Sequence, residues 1–136
     1  KTTDGGNTWQ QISSTVSNSN FRYVNRLIVD PDNANHLLAA TNSGVYLSTD
    51  GGTSWNEMFN NGNRVQQIIA NPSRFNTQFI AVNSSGIYKS TNGGQSWNLV
   101  SEEISGEGRI EIAISAVDTT VLYASPVNSD YGLLGF

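Results

Sequence analysis

The chain has 136 residues, 13% of them charged, no cysteine, a net charge of −4 and a mean hydropathy of −0.33. Its length suits one small domain, no run approaches the roughly 18 apolar residues of a spanning helix, and the acidic balance with scattered Lys and Arg argues against a broad nucleic-acid face. Without cysteine there is no disulfide, thiolate nucleophile or Cys-based zinc site.

In chain order, the first element is the phrase KTTDGGNTWQ at Lys1, followed by a polar stretch. The phrase returns as LSTDGGTSWN at Leu47 and as KSTNGGQSWN at Lys89, placing Trp9, Trp55 and Trp97 at one point of a repeat. After the first phrase, apolar and β-branched runs bounded by turn residues predict strands over 24–29, 36–41, 44–48 and 55–58. The second unit predicts them over 65–70, 78–82, 86–90 and 96–100. Asp30-Pro31 answers Asn71-Pro72, and NSGVY at Asn42 answers SSGIY at Ser84. A weaker third copy starts at Glu111, where Leu122-Tyr123-Ala124-Ser125 aligns with Leu38-Ala39-Ala40-Thr41 and Phe136 with Tyr46 and Tyr88. No segment has a helical period. Middle strands such as FIAV are apolar on both faces, which predicts sheets covered on both sides.

Four-strand units about 40 to 50 residues long are the signature of propeller blades. The expected fold is therefore all-β: about three four-stranded antiparallel blades of a β-propeller. The expected divisions are the end of one blade (1–21), a second (22–61), a third (62–106) and the start of another (107–136). Propellers close with about four to eight blades. Three units leave two open flanks, so a piece of a larger propeller, or one completed by other copies, is expected. Joining Phe136 to Lys1 would write GFKTTDGG, a copy of IYKSTNGG.

The phrase, Ser/Thr-x-Asp/Asn-x-Gly-x-Thr/Ser-Trp, resembles the Asp-box or BNR repeat. That repeat occurs in sialidases, sortilin-type receptors, xyloglucan-cleaving endoglucanases and a photosystem II assembly factor. The resemblance implies Asp-box turns between the third and fourth strands of each blade, and no single activity, because those families do unrelated jobs. Physically, Asp4, Asp50 and Asn92 are expected to accept backbone N–H bonds two or three residues on. Gly6, Gly52 and Gly94 supply positive φ, and Trp9, Trp55 and Trp97 bury a flat side chain against the blade. Asn92 in an aspartate's place argues for an acceptor rather than a metal or catalytic carboxylate, and the alternating acids and closing Glu of an EF-hand loop are absent.

Other candidates are weaker. His36, the single histidine, reads as a surface-loop residue before a strand. DPDN at Asp30 reads as a turn, since its carboxylates are sequence neighbours rather than groups about 5 to 10 Å apart across a cleft. FRYV at Phe21 weakly resembles the Phe-Arg-Ile-Pro stretch of sialidases, without its proline. Arg22, Arg64 and Arg109 each stand at the entry of a first strand, so three arginines could converge on a channel rim and clamp a carboxylate; strand-entry arginines facing solvent are the plainer reading. Glu102, Glu103, Glu107 and Glu111 read as a solvated connection, or a rim contact for a basic partner. Asn83-Ser84-Ser85 is an N-glycosylation pattern. No catalytic set, metal site or cofactor is expected. The expected role is a non-catalytic binding or scaffold segment, secreted or on the cell surface, for a protein or glycan ligand. The alternative is part of a glycoside hydrolase propeller whose catalytic acids lie elsewhere. Further blades or other copies are the expected partners; nucleic acid and a membrane span are not.

Overall fold

A computed structural model describes residues 1–101, 104 and 108–127. Glu102, Glu103, Glu107 and Phe136 lie outside them. Two four-stranded antiparallel sheets and a two-stranded one follow one another, each with its strands hydrogen-bonded in sequence order. The first sheet holds β1 (Val24–Asp30), β2 (Asn33–Thr41), β3 (Gly44–Ser48) and β4 (Asn56–Phe59). The second holds β5 (Val65–Asn71), β6 (Arg74–Val82), β7 (Gly86–Ser90) and β8 (Asn98–Ser101). β9 (Ile110–Ile114) and β10 (Leu122–Pro126) form the third. These are two propeller blades and part of another. Two short 3-10 turns, Ser13–Thr15 and Ser19–Phe21, lead into β1; the polar composition there gave no helical period.

β2 and β6 start well before the apolar runs that announce them, because the Pro31-Asp32 and Pro72-Ser73 pairs close tight hairpins. Asp30 pairs with Asn33 and Asn71 with Arg74. Proline presets φ for the first central position. The Asp32 and Ser73 N–H groups then donate to the side chains of Asp30 and Asn71 at 3.0 and 2.9 Å. The third copy is offset by one residue from its sequence alignment: Pro126, not Ser125, faces Ile110 as Thr41 faces Val24. The cause is a bulge that β1 and β5 have at Asn25 and Gln66 and that the β9 pairing lacks.

Sheets meet face to face in two seams. One joins Leu38, Ala40, Val45 and Leu47 to Val65, Ile68, Ile80 and Val82. The other joins Ala81 and Ile87 to Ile110 and Ile112. Each fully buried branched side chain stabilises its seam by about 1.5–3 kcal/mol. The outer face of the first sheet is covered only in part: Phe21 lies against Tyr46 and Trp55, at 5.2 and 5.0 Å between ring centroids, while Leu27 and Val29 stay about half exposed.

Candidate functional site

The three glycine turns share one wiring. A hydroxyl two residues before the Asp or Asn is the hub. Thr2, Ser48 and Ser90 Oγ each accept the second glycine's N–H, at 2.9, 2.8 and 3.0 Å. The same hydroxyls donate to Asp4, Asp50 and Asn92 Oδ1 at 2.7, 2.8 and 2.9 Å. Those Oδ1 atoms then accept the N–H of Thr8, Ser54 and Ser96. That reach is four residues, not the two or three expected, because both glycines of each pair have positive φ and fold the chain back further. The hub hydroxyls carried no expected role, although every copy of the phrase has Ser or Thr there.

Asn92 keeps the bond count by reversing one bond. Thr8 and Ser54 hydroxyls donate to the second carboxylate oxygen of Asp4 and Asp50, both at 2.6 Å. In the third turn Asn92 Nδ2 donates to Ser96 Oγ instead, at 2.9 Å. The donors of Ser54 hold the Asp50 carboxyl down at about 2, and Thr8 lowers Asp4 likewise. Carboxyls with depressed folded-state pKa stabilise the fold above their ordinary value of 3.8, and that contribution goes as pH falls through about 2. The third turn has no such group. Asp50→Asn is therefore expected to leave the melting temperature near neutral pH almost unchanged and to shrink the loss between pH 4 and 2. Thermal melts of both proteins across that range check this; an unchanged acid slope would show that Asp50 ionisation does not support its turn.

The tryptophans differ more than their shared place suggests. Trp9 is 73% exposed, contrary to a buried anchor, since no sheet of the described chain lies behind its turn; Trp55 and Trp97 are half-buried. Trp9 and Trp97 Nε1 donate to the Gly6 and Gly94 carbonyls, both at 3.1 Å. At the middle turn Ser14 Oγ donates to the Gly52 carbonyl at 2.5 Å, and Trp55 Nε1 is buried without a partner among the described residues.

The arginines are not equivalent. Tyr23, Arg64 and Arg109 carbonyls accept the N–H of Asn42, Asn83 and Val127, so the position matching Arg64 and Arg109 is Tyr23. Arg22 stands one residue earlier, its guanidinium 5.6 Å from the Tyr23 ring centre, and Arg109 pairs with Glu111. What the inner strands do share is a polar staple across the seams. Asn25 Nδ2 donates to Asn42 Oδ1 and to the Val65 carbonyl of the next sheet, both at 2.9 Å. At the matching place Gln66 Nε2 donates to Asn83 Oδ1, and Gln66 Oε1 accepts Ile110 N–H. Gln67, nearly buried, donates to the Ile112 carbonyl at 3.1 Å. The bulges at Asn25 and Gln66 aim these amides sideways. The signal in the sequence was the pair of amides at one repeat position, but a bulge cannot be read from composition. Asn83 is thus engaged within the fold, its Nδ2 also donating to Ser84 Oγ.

His36 is a strand residue, not a loop residue. It sits in β2, half-buried, edge-on to Phe75, with Nε2 3.0 Å from the Gly93 carbonyl and Nδ1 3.4 Å from Asp30. It ties the first sheet to the glycine turn of the second. Glu57 accepts the Tyr46 hydroxyl at 2.8 Å, and burial with that carboxylate pushes the phenol up to about 12. Among the described residues no cluster of His, Asp or Glu suits a metal ion, and no helix is long and apolar enough to cross a membrane.

A family profile described as the DUF6242 beta propeller domain matches residues 1–108. Among solved structures, an ancestral GH74 enzyme is similar with a TM-score of 0.63 and 31% identity, over 79% of this chain and 14% of that one. The GH74 xyloglucanase from Xanthomonas campestris shares the fold at a TM-score of 0.51 and 19% identity, over 60% of this chain and 15% of that one. No protein of curated function matches. The chain therefore spans about one-seventh of the enzyme structures it resembles. By the profile match over most of its length, the chain belongs to the DUF6242 β-propeller domain family.

Proposed function

We propose that this chain is a non-catalytic binding or scaffold portion of an Asp-box propeller outside the cell or on its surface, recognising a protein or glycan. One observation carries the reading: of the seven carboxylates among the described residues, all but the exposed Asp32 serve the structure. Asp4 and Asp50 stitch turns, Asp30 closes a hairpin, Asp118 accepts Thr120, Glu57 holds Tyr46 and Glu111 pairs with Arg109. Glycoside cleavage needs an acid and a base or nucleophile aimed across a sugar. The low charge and Asn/Ser/Thr-rich surface support an exported protein. The second reading, part of a glycoside hydrolase with its acids in other blades, is favoured by the 31% identity to the ancestral GH74 enzyme.

Electrophoresis of the chain through gels containing xyloglucan or other soluble polysaccharides, with a reducing-end assay on the same mixtures, separates the two. Retarded migration without new reducing ends is expected for a glycan binder. Unretarded migration directs the reading to a protein ligand. Reducing ends released by the chain alone would overturn the non-catalytic reading.

A further inference from the structure

The chain holds two Asn-Gly steps, Asn61-Gly62 and Asn92-Gly93. Asparagine before glycine is chemically labile, because a glycine nitrogen with no side chain beside it can attack the asparagine Cγ. The fold treats the two steps differently. Gly93 N–H donates to the Asn76 carbonyl at 3.0 Å. Asn92 Oδ1 is held by Ser90 and Ser96, and its Nδ2 by Ser96. A Cβ at Gly93 would lie 3.0 Å from His36, and one at Gly94 2.5 Å from Leu38, so neighbouring side chains close over this step.

Asn61-Gly62 lies in the connection from β4 to β5, between the first two sheets. Both residues are exposed, and a Cβ at Gly62 would meet nothing within 4 Å. Outside the strand ladders, no backbone–backbone hydrogen bond among the described residues engages residues 61–63. Asn61 Oδ1 accepts Asn63 N–H at 3.1 Å, an Asx turn. Asn61 Cγ and Gly62 N, the atoms that would join in a succinimide, are both members of that hydrogen-bonded ring.

We propose that Asn61 is a site of spontaneous deamidation in the folded chain. A base from solvent takes the Gly62 amide proton, the nitrogen bonds to Asn61 Cγ, and the bond from Cγ to Nδ2 breaks, ammonia leaving with a proton from solvent. Water then opens the succinimide at either carbonyl, giving aspartate or isoaspartate. The two products differ in consequence. Asn61 Nδ2 donates to Ser85 Oγ at 2.9 Å and to the Tyr88 hydroxyl at 3.4 Å, clasping the connection to the second sheet. Aspartate keeps the clasp with its direction reversed, the hydroxyls donating to a carboxylate, as Ser54 donates to Asp50 where Asn92 donates to Ser96. Isoaspartate routes the backbone through the former side chain and withdraws the carboxyl group, so the clasp is lost. This inference is independent of the ligand proposed above.

Incubation of the chain in mildly alkaline buffer, followed by tryptic peptide mapping, tests it. Trypsin places Asn61 in the peptide 27–64 and Asn92 in 90–109, so fragmentation assigns each conversion. In the native chain Asn61 is expected to convert at least about tenfold faster than Asn92, since an exposed connection opens locally while the glycine turn opens only with the blade. In denaturing guanidinium chloride the two steps should convert alike. Gly62→Ala should hold Asn61 intact in the native chain. Asn61 unconverted in the native chain over a time in which the unfolded chain converts would overturn the proposal, and so would equal native rates at Asn61 and Asn92. The isoaspartate form, separated by ion exchange, should unfold at lower urea than the Asn61→Asp variant; equal midpoints would overturn the loss of the clasp.

Discussion

Gly86→Ala is expected to cost about 3–5 kcal/mol, enough to unfold much of a domain whose whole stability is about 5–15 kcal/mol. Two effects add. Gly86 has φ of 106°, where an L side chain is strained. Its Cβ would also run into the carbonyl oxygen of Ser101, so the end of β8 must leave β7. The same carbonyl approach occurs between Gly44 and Phe59, so Gly44→Ala should behave alike. Gly62 is the control: φ is 82° and a Cβ there meets nothing, so Gly62→Ala should cost about 1 kcal/mol of strain alone. Urea denaturation of the three variants checks this. A Gly86→Ala loss no larger than that of Gly62→Ala would mean β8 gives way freely and that the close approach does not hold the sheet edge.

That glycine shows where sequence reading stops. NSGVY and SSGIY marked β3 and β7, and both strands have the bounds expected, Gly44–Ser48 and Gly86–Ser90, because apolar residues buried on both faces leave a plain signal. The carbonyl pressed against each glycine, Phe59 for Gly44 and Ser101 for Gly86, belongs to the next strand beyond the glycine turn, and nothing local records it. β2 and β6 began early for a related reason. Their first residues are polar and largely exposed, held by proline hairpins rather than burial. The turns were legible as turns, yet their hub hydroxyls at Thr2, Ser48 and Ser90 were not, since a serine in a polar loop looks like any other. His36 looked like a loop residue because its partners, Asp30 and Gly93, are brought together only by stacked sheets. The arginine set was misaligned by one residue because its sequence register ignored that Tyr23 takes the backbone place of Arg64.

Trp97→Ala is expected to cost about 2–4 kcal/mol, whereas Trp9→Ala should cost less than about 1 kcal/mol, from the same residue in the same phrase. Both indoles make one local bond, to Gly94 and to Gly6, so that bond cancels in the comparison. What remains is packing. Trp97 lies against the seam formed by Leu38, Leu47, Ile68 and Ile80, and its removal opens a cavity at the first two sheets' junction. Trp9 is 73% exposed and leaves none. The phrase therefore does not by itself fix what its tryptophan contributes; the sheet behind it does. Measured by urea denaturation, the two losses should differ severalfold. Equal losses would mean that each turn is stabilised by its own hydrogen bonds, with the tryptophan incidental to the blade.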